Sequence, residues 1–333
     1  MTPFTVFYCD DARAEEWLDN ERLLALIRFG EPGAIAPDPQ ICEVALAELG
    51  GTATAEVWLG AGPAQTGIAD GVRHASDGDT LFLHLCLDEY APDALQPLTA
   101  VAYRRLFAVA RALGYPHFLR IWNFFPQINR ECEGLERYRA FCAGRHQALV
   151  AELAEFEMQL PAASAIGARG PGLQLYALAA REPGIQIENP RQVSAFHYPR
   201  QYGLRSPSFS RAVLKTWGER HHHLYISGTA SIVGHASRHQ DTLPQLDETL
   251  ANLEALLAEA GRRTSMPLPL ALLKIYVRPD LDPSPLRDRV TRTFGADVPL
   301  LFLRADICRQ ELLIEIEGLA ASAAGHHFQD HVS

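Results

Sequence analysis

The sequence predicts an α+β protein made of two similar halves, each a mixed sheet with helices on one face. Three observations predict it. Strand-period and helix-period segments follow one another in the same order twice, over 79–180 and again over 222–321. With 47% hydrophobic and 21% charged residues, the 333-residue chain can bury a sizeable core, enough for roughly two domains. A long, aromatic connection at 187–212 lies between the two stretches. A half of this kind leaves one sheet face open. Pairing two halves covers those faces and puts a ligand site at the seam.

Taken in order, residues 1–75 are less regular and read as an N-terminal elaboration of the first half. The segment 79–89, DTLFLHLCLDE, alternates apolar positions as a strand does. A helical pattern over 100–114 ends at Gly114, a C-cap. An apolar strand at 117–125, a helix over 135–155 and strands at 161–168 and 173–180 complete the first unit. The second unit repeats that order: a strand pair or one long bent strand over 222–234, a leucine-spaced helix over 246–261, a strand at 270–278, a short helix over 283–295, and strands at 298–307 and 311–321. Leu119-Arg120-Ile121 matches Leu273-Lys274-Ile275, and Gly114 matches Gly261, a likeness of element order more than of residues. The resulting division is a first half over 1–186, an ordered linker over 187–212, a second half over 213–322 and a frayed tail over 323–333.

A formal charge of −10 argues against general binding to nucleic acids or anionic membranes, because phosphate affinity needs a basic surface. All but two of the 30 basic residues are arginines, planar forks suited to carboxylates. The six cysteines are scattered with no C-x-x-C pair, which predicts reduced thiols and a cytoplasmic protein. The N-terminus has neither a basic n-region nor an apolar h-region, and no apolar run nears the roughly 20 residues that cross a bilayer.

Several motifs invite chemistry and decline it. Adjacent His221, His222 and His223 alternate faces on a strand and have no acidic partner at helical spacing, so no metal site is expected. Ser231 and His235 lack a nucleophile elbow. The glycines of 167–172 precede a strand, whereas a phosphate cradle precedes a helix. The segment 308–318 is more informative. On a strand, Glu311, Leu313, Glu315 and Glu317 share one face, while Leu312, Ile314 and Ile316 share the other. Leu313 makes the acidic face partly apolar, and a carboxyl there would hold its proton as a general acid must. An exposed acidic face fits the same pattern. Ser227, Gly228 and Ala230 put small residues inside a strand, which marks either a bulge or the close approach of a ligand. Arg120, Arg145, Arg200, Arg205, Arg278 and Arg304 lie in or beside the core elements and are candidate carboxylate contacts.

Five segments in this order resemble the chorismatases, enzymes that cleave the enolpyruvyl ether of chorismate and release pyruvate. They are RIWNFFPQIN (120–129), ENPRQVSAFHYPRQYGLRSPSFSRA (188–212), ISGTASIVGH (226–235), LKIYVR (273–278) and ADICRQELLIEIEG (305–318). The resemblance covers roughly residues 80 to 320. It implies two halves of the RidA/YjgF, chorismate-mutase-like fold in one chain, and a monomer whose seam replaces a subunit interface. It implies Glu315 as general acid, Cys308 as the residue of the ring chemistry and Gly228 as the small residue facing the substrate ring. Asn123, Arg145, Tyr198, Tyr202 and Arg205 follow as substrate contacts, with Arg278 and Arg304 as reserve carboxylate ligands. No metal or other cofactor is expected. Relatives that stop at a dihydroxycyclohexadiene carboxylate are similar but carry Ala at the two product-determining places. Gly228 with Cys308 therefore resembles the branch that makes 3-hydroxybenzoate, and 4-hydroxybenzoate stays open as a second product. The carboxylate-binding arginine that RidA-type proteins carry before their last strands has no counterpart, Leu300 standing at about that position. Two other readings predict different behaviour: a RidA-type imine or enamine hydrolase, and a non-catalytic sensor of aromatic acids.

Overall fold

A computed structural model describes residues 4–322, apart from 32, 34–35, 51–53, 92, 219–220 and 279–280. The tail expected to fray, 323–333, lies outside the described residues. The chain opens with a separate four-stranded sheet: β1 (Phe4–Asp10), β2 (Leu23–Phe29), β3 (Ile41–Val44) and β4 (Thr54–Gly60), in the order β1-β4-β2-β3. The expected irregular elaboration is thus a sheet, and it ends at Gly60 and not at 75. The hairpin that follows, β5 (Gln65–Ala69) and β6 (Val72–Ser76), already belongs to the first repeat.

That repeat continues with β7 (Thr80–Asp88), α1 (Leu95–Ala112), β8 (His117–Phe125), α2 (Arg137–Glu152), β9 (Ala162–Gly167) and β10 (Gly172–Ala180). The second repeat consists of β11 (Ile185–Ile187), β12 (Ala212–Trp217), β13 (His221–Ala230), α3 (Thr242–Thr264), β14 (Leu270–Val277), α4 (Ser284–Phe294) and β15 (Leu300–Arg304), with β16 (Asp306–Ile307) and β17 (Ile314–Ala321). The sheet orders coincide. The first reads β5-β6-β7-β10-β8-β9 and the second β11-β12-β13-β17-β14-β15. The parallel pair falls in the same place in each, β8 with β9 and β14 with β15. The second sheet opens at Ile185, ahead of the linker boundary expected at 187, because Ile185–Ile187 pairs with β12. Short β16 leaves its own repeat and pairs with β9, joining the two sheets.

Side-chain alternation sends each strand's residues to two different cores. Ile121 and Phe125 of β8 face α1 and α2, among Leu106, Phe107 and Phe141. Ile275 and Ile316 likewise pack under Leu246, Leu250 and Val290 of α3 and α4. The opposite faces meet in one further core: Trp122 and Tyr176 from the first sheet, Tyr225 and Tyr276 from the second, and Ile27 and Trp58 from the N-terminal sheet. The open faces are therefore covered by each other and by the N-terminal sheet together. α1 and α2 cross tightly at Gly144, where a Cβ would stand 2.1 Å from the Gln96 carbonyl oxygen. A side chain there would push the helices apart.

Candidate active site

The site begins with a local irregularity in β13. Ile226 is opposite Gly318 on β17 and Thr229 is opposite Ile316, so Ser227 and Gly228 share Glu317 as their one opposite residue. This is a β-bulge, and the groups it frees from the ladder bond to other parts of the chain. The Ser227 amide donates to the Arg211 carbonyl at 3.0 Å, and its Oγ accepts from the Ala163 amide at 2.9 Å. The Gly228 amide donates to Ser164 Oγ at 3.0 Å. The reading of this small-residue strand as a bulge holds, and the bulge also lines a cavity.

That cavity, about 660 Å³, opens where the two repeats and the linker meet. Glu315 of β17 lies in its wall and is only 4% exposed. A Cβ on Gly228 would stand 1.8 Å from Glu315 Oε1, so the carboxyl occupies the space that the glycine leaves. Burial, and after it the charge of Glu317, pushes the Glu315 carboxyl up to about 8, against smaller opposing pulls from Arg120 and Arg211. Of the acidic face, Glu315 and Glu317 are buried and Glu311 is exposed at the cavity rim, but only Glu315 is raised as the sheltered reading expected, Glu317 being lowered, despite burial, by Arg120 and Lys274. Cys308 Sγ lies 4.0 Å from Glu315 Oε2. Burial first, and Glu315 second, push its thiol far up, so it stands as S–H and not as a thiolate nucleophile.

The linker supplies the aromatic side. Tyr198 and Tyr202 line the cavity from two short 3-10 turns, Ala195–His197 and Arg200–Tyr202. Each is held by an arginine. Arg211 Nη2 donates to Tyr198 Oη at 2.7 Å and to the Val193 carbonyl at 2.8 Å. Its buried Nε has no hydrogen-bond partner. Arg309 lies 4.0 Å over the Tyr202 ring and donates through Nη1 to the His235 carbonyl and Ser237 Oγ. Both arginines line the cavity, as does exposed Arg139.

Five of the ten residues read from the sequence therefore come together: Glu315, Cys308, Gly228, Tyr198 and Tyr202. The other five do not line the cavity. Asn123 is buried with both ends used: Oδ1 accepts from Tyr103 Oη and Nδ2 donates to the Ser164 carbonyl, each at 2.7 Å. It supports Ser164 from behind. Arg145 is buried between the Phe141 and Phe209 rings, behind the wall that Phe209 forms, with Nε and Nη2 unpartnered. Arg205 and Arg304 are exposed and off the cavity. Arg278 is spent on structure: it donates to the carbonyls of Leu312, Ile307 and Arg309, to Asn129 Oδ1, and to Asp306 Oδ1 at 2.6 Å. It braces the loop that carries Cys308. Arg211 and Arg309 were missed, although both stand inside the recognised segments, Arg309 next to Cys308.

Known proteins resemble this chain over most of its length. Residues 56–179 match the family described as "Chorismatase FkbO/Hyg5-like, N-terminal". A 3-hydroxybenzoate synthase of Streptomyces hygroscopicus is 38% identical over 281 residues, 80% of this chain and 81% of that protein. A chorismatase of Streptomyces rapamycinicus is 38% identical over 280 residues, 80% of this chain and 82% of its own. A chorismatase crystal structure superposes with a TM-score of 0.85 at 32% identity, covering 96% of this chain and 98% of the other. Likeness of this extent, in sequence and in fold alike, means that the chain belongs to the chorismatase family.

Proposed function

We propose that the chain converts chorismate to 3-hydroxybenzoate and pyruvate, with Glu315 as the general acid. The observation that carries this reading is a buried carboxyl, pushed up to about 8, in the wall of a cavity large enough for a small dicarboxylate. Such a group keeps its proton at neutral pH and can give it to the methylene carbon of the enolpyruvyl ether. The Glu315 carboxylate left behind faces the oxocarbenium ion so formed. The bond from ether oxygen to ring carbon breaks, and pyruvate leaves with that oxygen. The remaining ring hydroxyl oxygen shifts to the neighbouring carbon, and a ring hydrogen leaves as the proton that restores Glu315. No water or oxidant enters, since the atoms of the substrate are those of the two products.

Arg211 and Arg309 take the place of Arg145, Arg205, Arg278 and Arg304 as carboxylate ligands, with Arg139 nearer the rim. The unclaimed Nε of Arg211 supports this assignment. A global charge of −10 repels a dianion, so attraction has to come from such local forks. Cys308 and the space at Gly228 guide the ring step. Two halves meeting at an ordered linker, 187–212, make the site. Because one chain supplies every wall of it, we read the protein as a monomer; the six free thiols favour the cytoplasm.

Incubation with chorismate, chromatography of the aromatic acids and a pyruvate assay test the proposal. Equal amounts of pyruvate and 3-hydroxybenzoate are expected, and the same chromatogram reports any 4-hydroxybenzoate. Tight binding of chorismate with no pyruvate formed would instead favour the sensor, and ammonia released from 2-aminoacrylate the imine hydrolase.

A further inference from the structure

Behind Glu315 lies a second, fully buried set of charges that the reaction does not use. Glu317, two residues along β17 and on the same face, accepts from Arg120 Nη2 at 2.7 Å, from Trp122 Nε1 at 2.6 Å and from Ser164 Oγ. Lys274 Nζ lies 3.4 Å from its other oxygen and 2.7 Å from Glu56 Oε2. Lys274 also donates to Tyr176 Oη, and Trp58 Nε1 to Glu56 Oε1. All four charged side chains are at most 4% exposed. They come from three sheets: Glu56 from the N-terminal one, Arg120 from the first repeat, Lys274 and Glu317 from the second.

The charges of this quartet sum to zero, with Arg120 and Lys274 both paired to Glu317, so the pull of Arg120 on Glu315 is smaller than the push from Glu317. The set also reaches the cavity wall, because Ser164 Oγ, which donates to Glu317, accepts the Gly228 amide against which the Glu315 carboxyl packs. We propose that the neutral quartet Glu56–Lys274–Glu317–Arg120, coupled through Ser164, is a positioning device that keeps the Glu315 carboxyl protonated and seated at Gly228. This rests on the role proposed for Glu315. Glu317 is the positioning residue at its centre, and it touches no substrate.

The charged and titratable groups facing Glu315 are few. Its own strand offers Glu317, β14 offers Tyr276 directly opposite it, β8 offers Arg120, the end of the linker offers Arg211, and the segment after β16 offers Cys308. Of these, Glu317 alone is an anion held ionised by neighbours: burial pushes it up, but Arg120, Lys274, Ser164 and Trp122 together bring it below the usual carboxylate range. Two residues along a strand are about 7 Å apart. At that distance in a protein interior, a unit charge moves a neighbour's titration by between one and two pH units.

The test is the alkaline limb of the pH–rate profile, expected near pH 8 in the wild type. Glu317→Gln removes the anion and leaves a cation in excess, so the limb moves at least one unit toward acid. Glu317→Asp keeps the charge, so its limb stays within half a unit of wild type even if turnover falls. Lys274→Met removes a cation and leaves an anion in excess, so the limb moves toward alkali, which gives a second reading should Glu317→Gln fail to fold. A merely structural role predicts lost turnover with an unmoved limb in all three, and that result, or an acid shift in Lys274→Met, overturns the inference. The same displacement must appear in the pH dependence of urea unfolding, which needs no substrate. A wild type that releases no pyruvate from chorismate therefore sinks the proposed function, while the unfolding curves still decide this inference.

Discussion

Replacing Glu315 by Gln should stabilise the folded protein, and more so as pH rises. The carboxyl's pKa goes from the ordinary 4.5 to about 8 on folding, with burial as the main cause. Below pH 4.5 both states hold the proton and nothing is lost. Between 4.5 and 8 the unfolded chain releases the proton while the folded one retains it, so stability falls as pH rises. Above 8 the cost is complete. It amounts to about 3 kcal/mol at pH 7 and about 5 kcal/mol on the plateau. Glu315→Gln has no such proton to hold. Any cost of burying its amide is the same at every pH, so the slope and not the offset is diagnostic. Urea unfolding of both proteins at pH 5, 7 and 8.5 measures it. The difference between them should grow in favour of the variant by about 4 kcal/mol from pH 5 to 8.5, while its turnover of chorismate falls about 10²–10⁴-fold. Parallel stability curves would mean that the carboxyl titrates as it does in water, and the acid would have to be sought elsewhere.

Gly228→Ala should fold, because its methyl would meet the ends of the Glu315 and Ser164 side chains and not backbone. The displaced carboxyl should cost at least about tenfold in turnover and move product toward the non-aromatic dihydroxy acid; chromatography with unchanged rate and products would refute this. Cys308→Ala should likewise shift product from 3-hydroxybenzoate toward that acid with pyruvate release retained, and an unchanged ratio would remove Cys308 from the ring step. Arg211→Lys loses the fork that serves Tyr198 and the substrate. KM should rise about 10- to 100-fold, the worth of a charge-assisted hydrogen bond, with kcat changed less; a loss confined to kcat would show that Arg211 does not bind the ground state.

Which parts of this were legible before the structure follows from how far each depends on distant residues. The order of β7 to β10 and of β13 to β17 is written in local periodicity, and so it was readable. The hairpin of β5 and β6 and the short strand β11 were not, because QTGIA and IQI carry too few apolar residues to separate them from loops. The N-terminal sheet was missed for another reason. β1 finds its partner in β4, pairing Phe4 with Gly60, and no window of neighbouring residues contains that pairing.

The site divides in the same way. Glu315 and Gly228 were singled out by local patterns, strand alternation and a glycine inside a strand, and Cys308 by the resemblance of the segment it stands in. No such pattern sorts the arginines. Arg278 and Arg211 look alike in sequence, yet one braces a loop and the other lines the cavity. Backbone demand separates them. The turn over 307–312 leaves the carbonyls of Ile307, Arg309 and Leu312 without ladder partners, and Arg278 supplies donors to all three. Buried carbonyls must be paired, so a guanidinium placed there has little left for a ligand. The Arg211 guanidinium donates to the Val193 carbonyl and Tyr198 Oη, lies over the Tyr198 and Phe209 rings, and keeps its Nε unclaimed. An unclaimed donor alone does not separate them, since buried Arg145 keeps two; what singles out Arg211 is an unclaimed donor on a side chain that also lines the cavity, and that becomes visible only once the chain is folded.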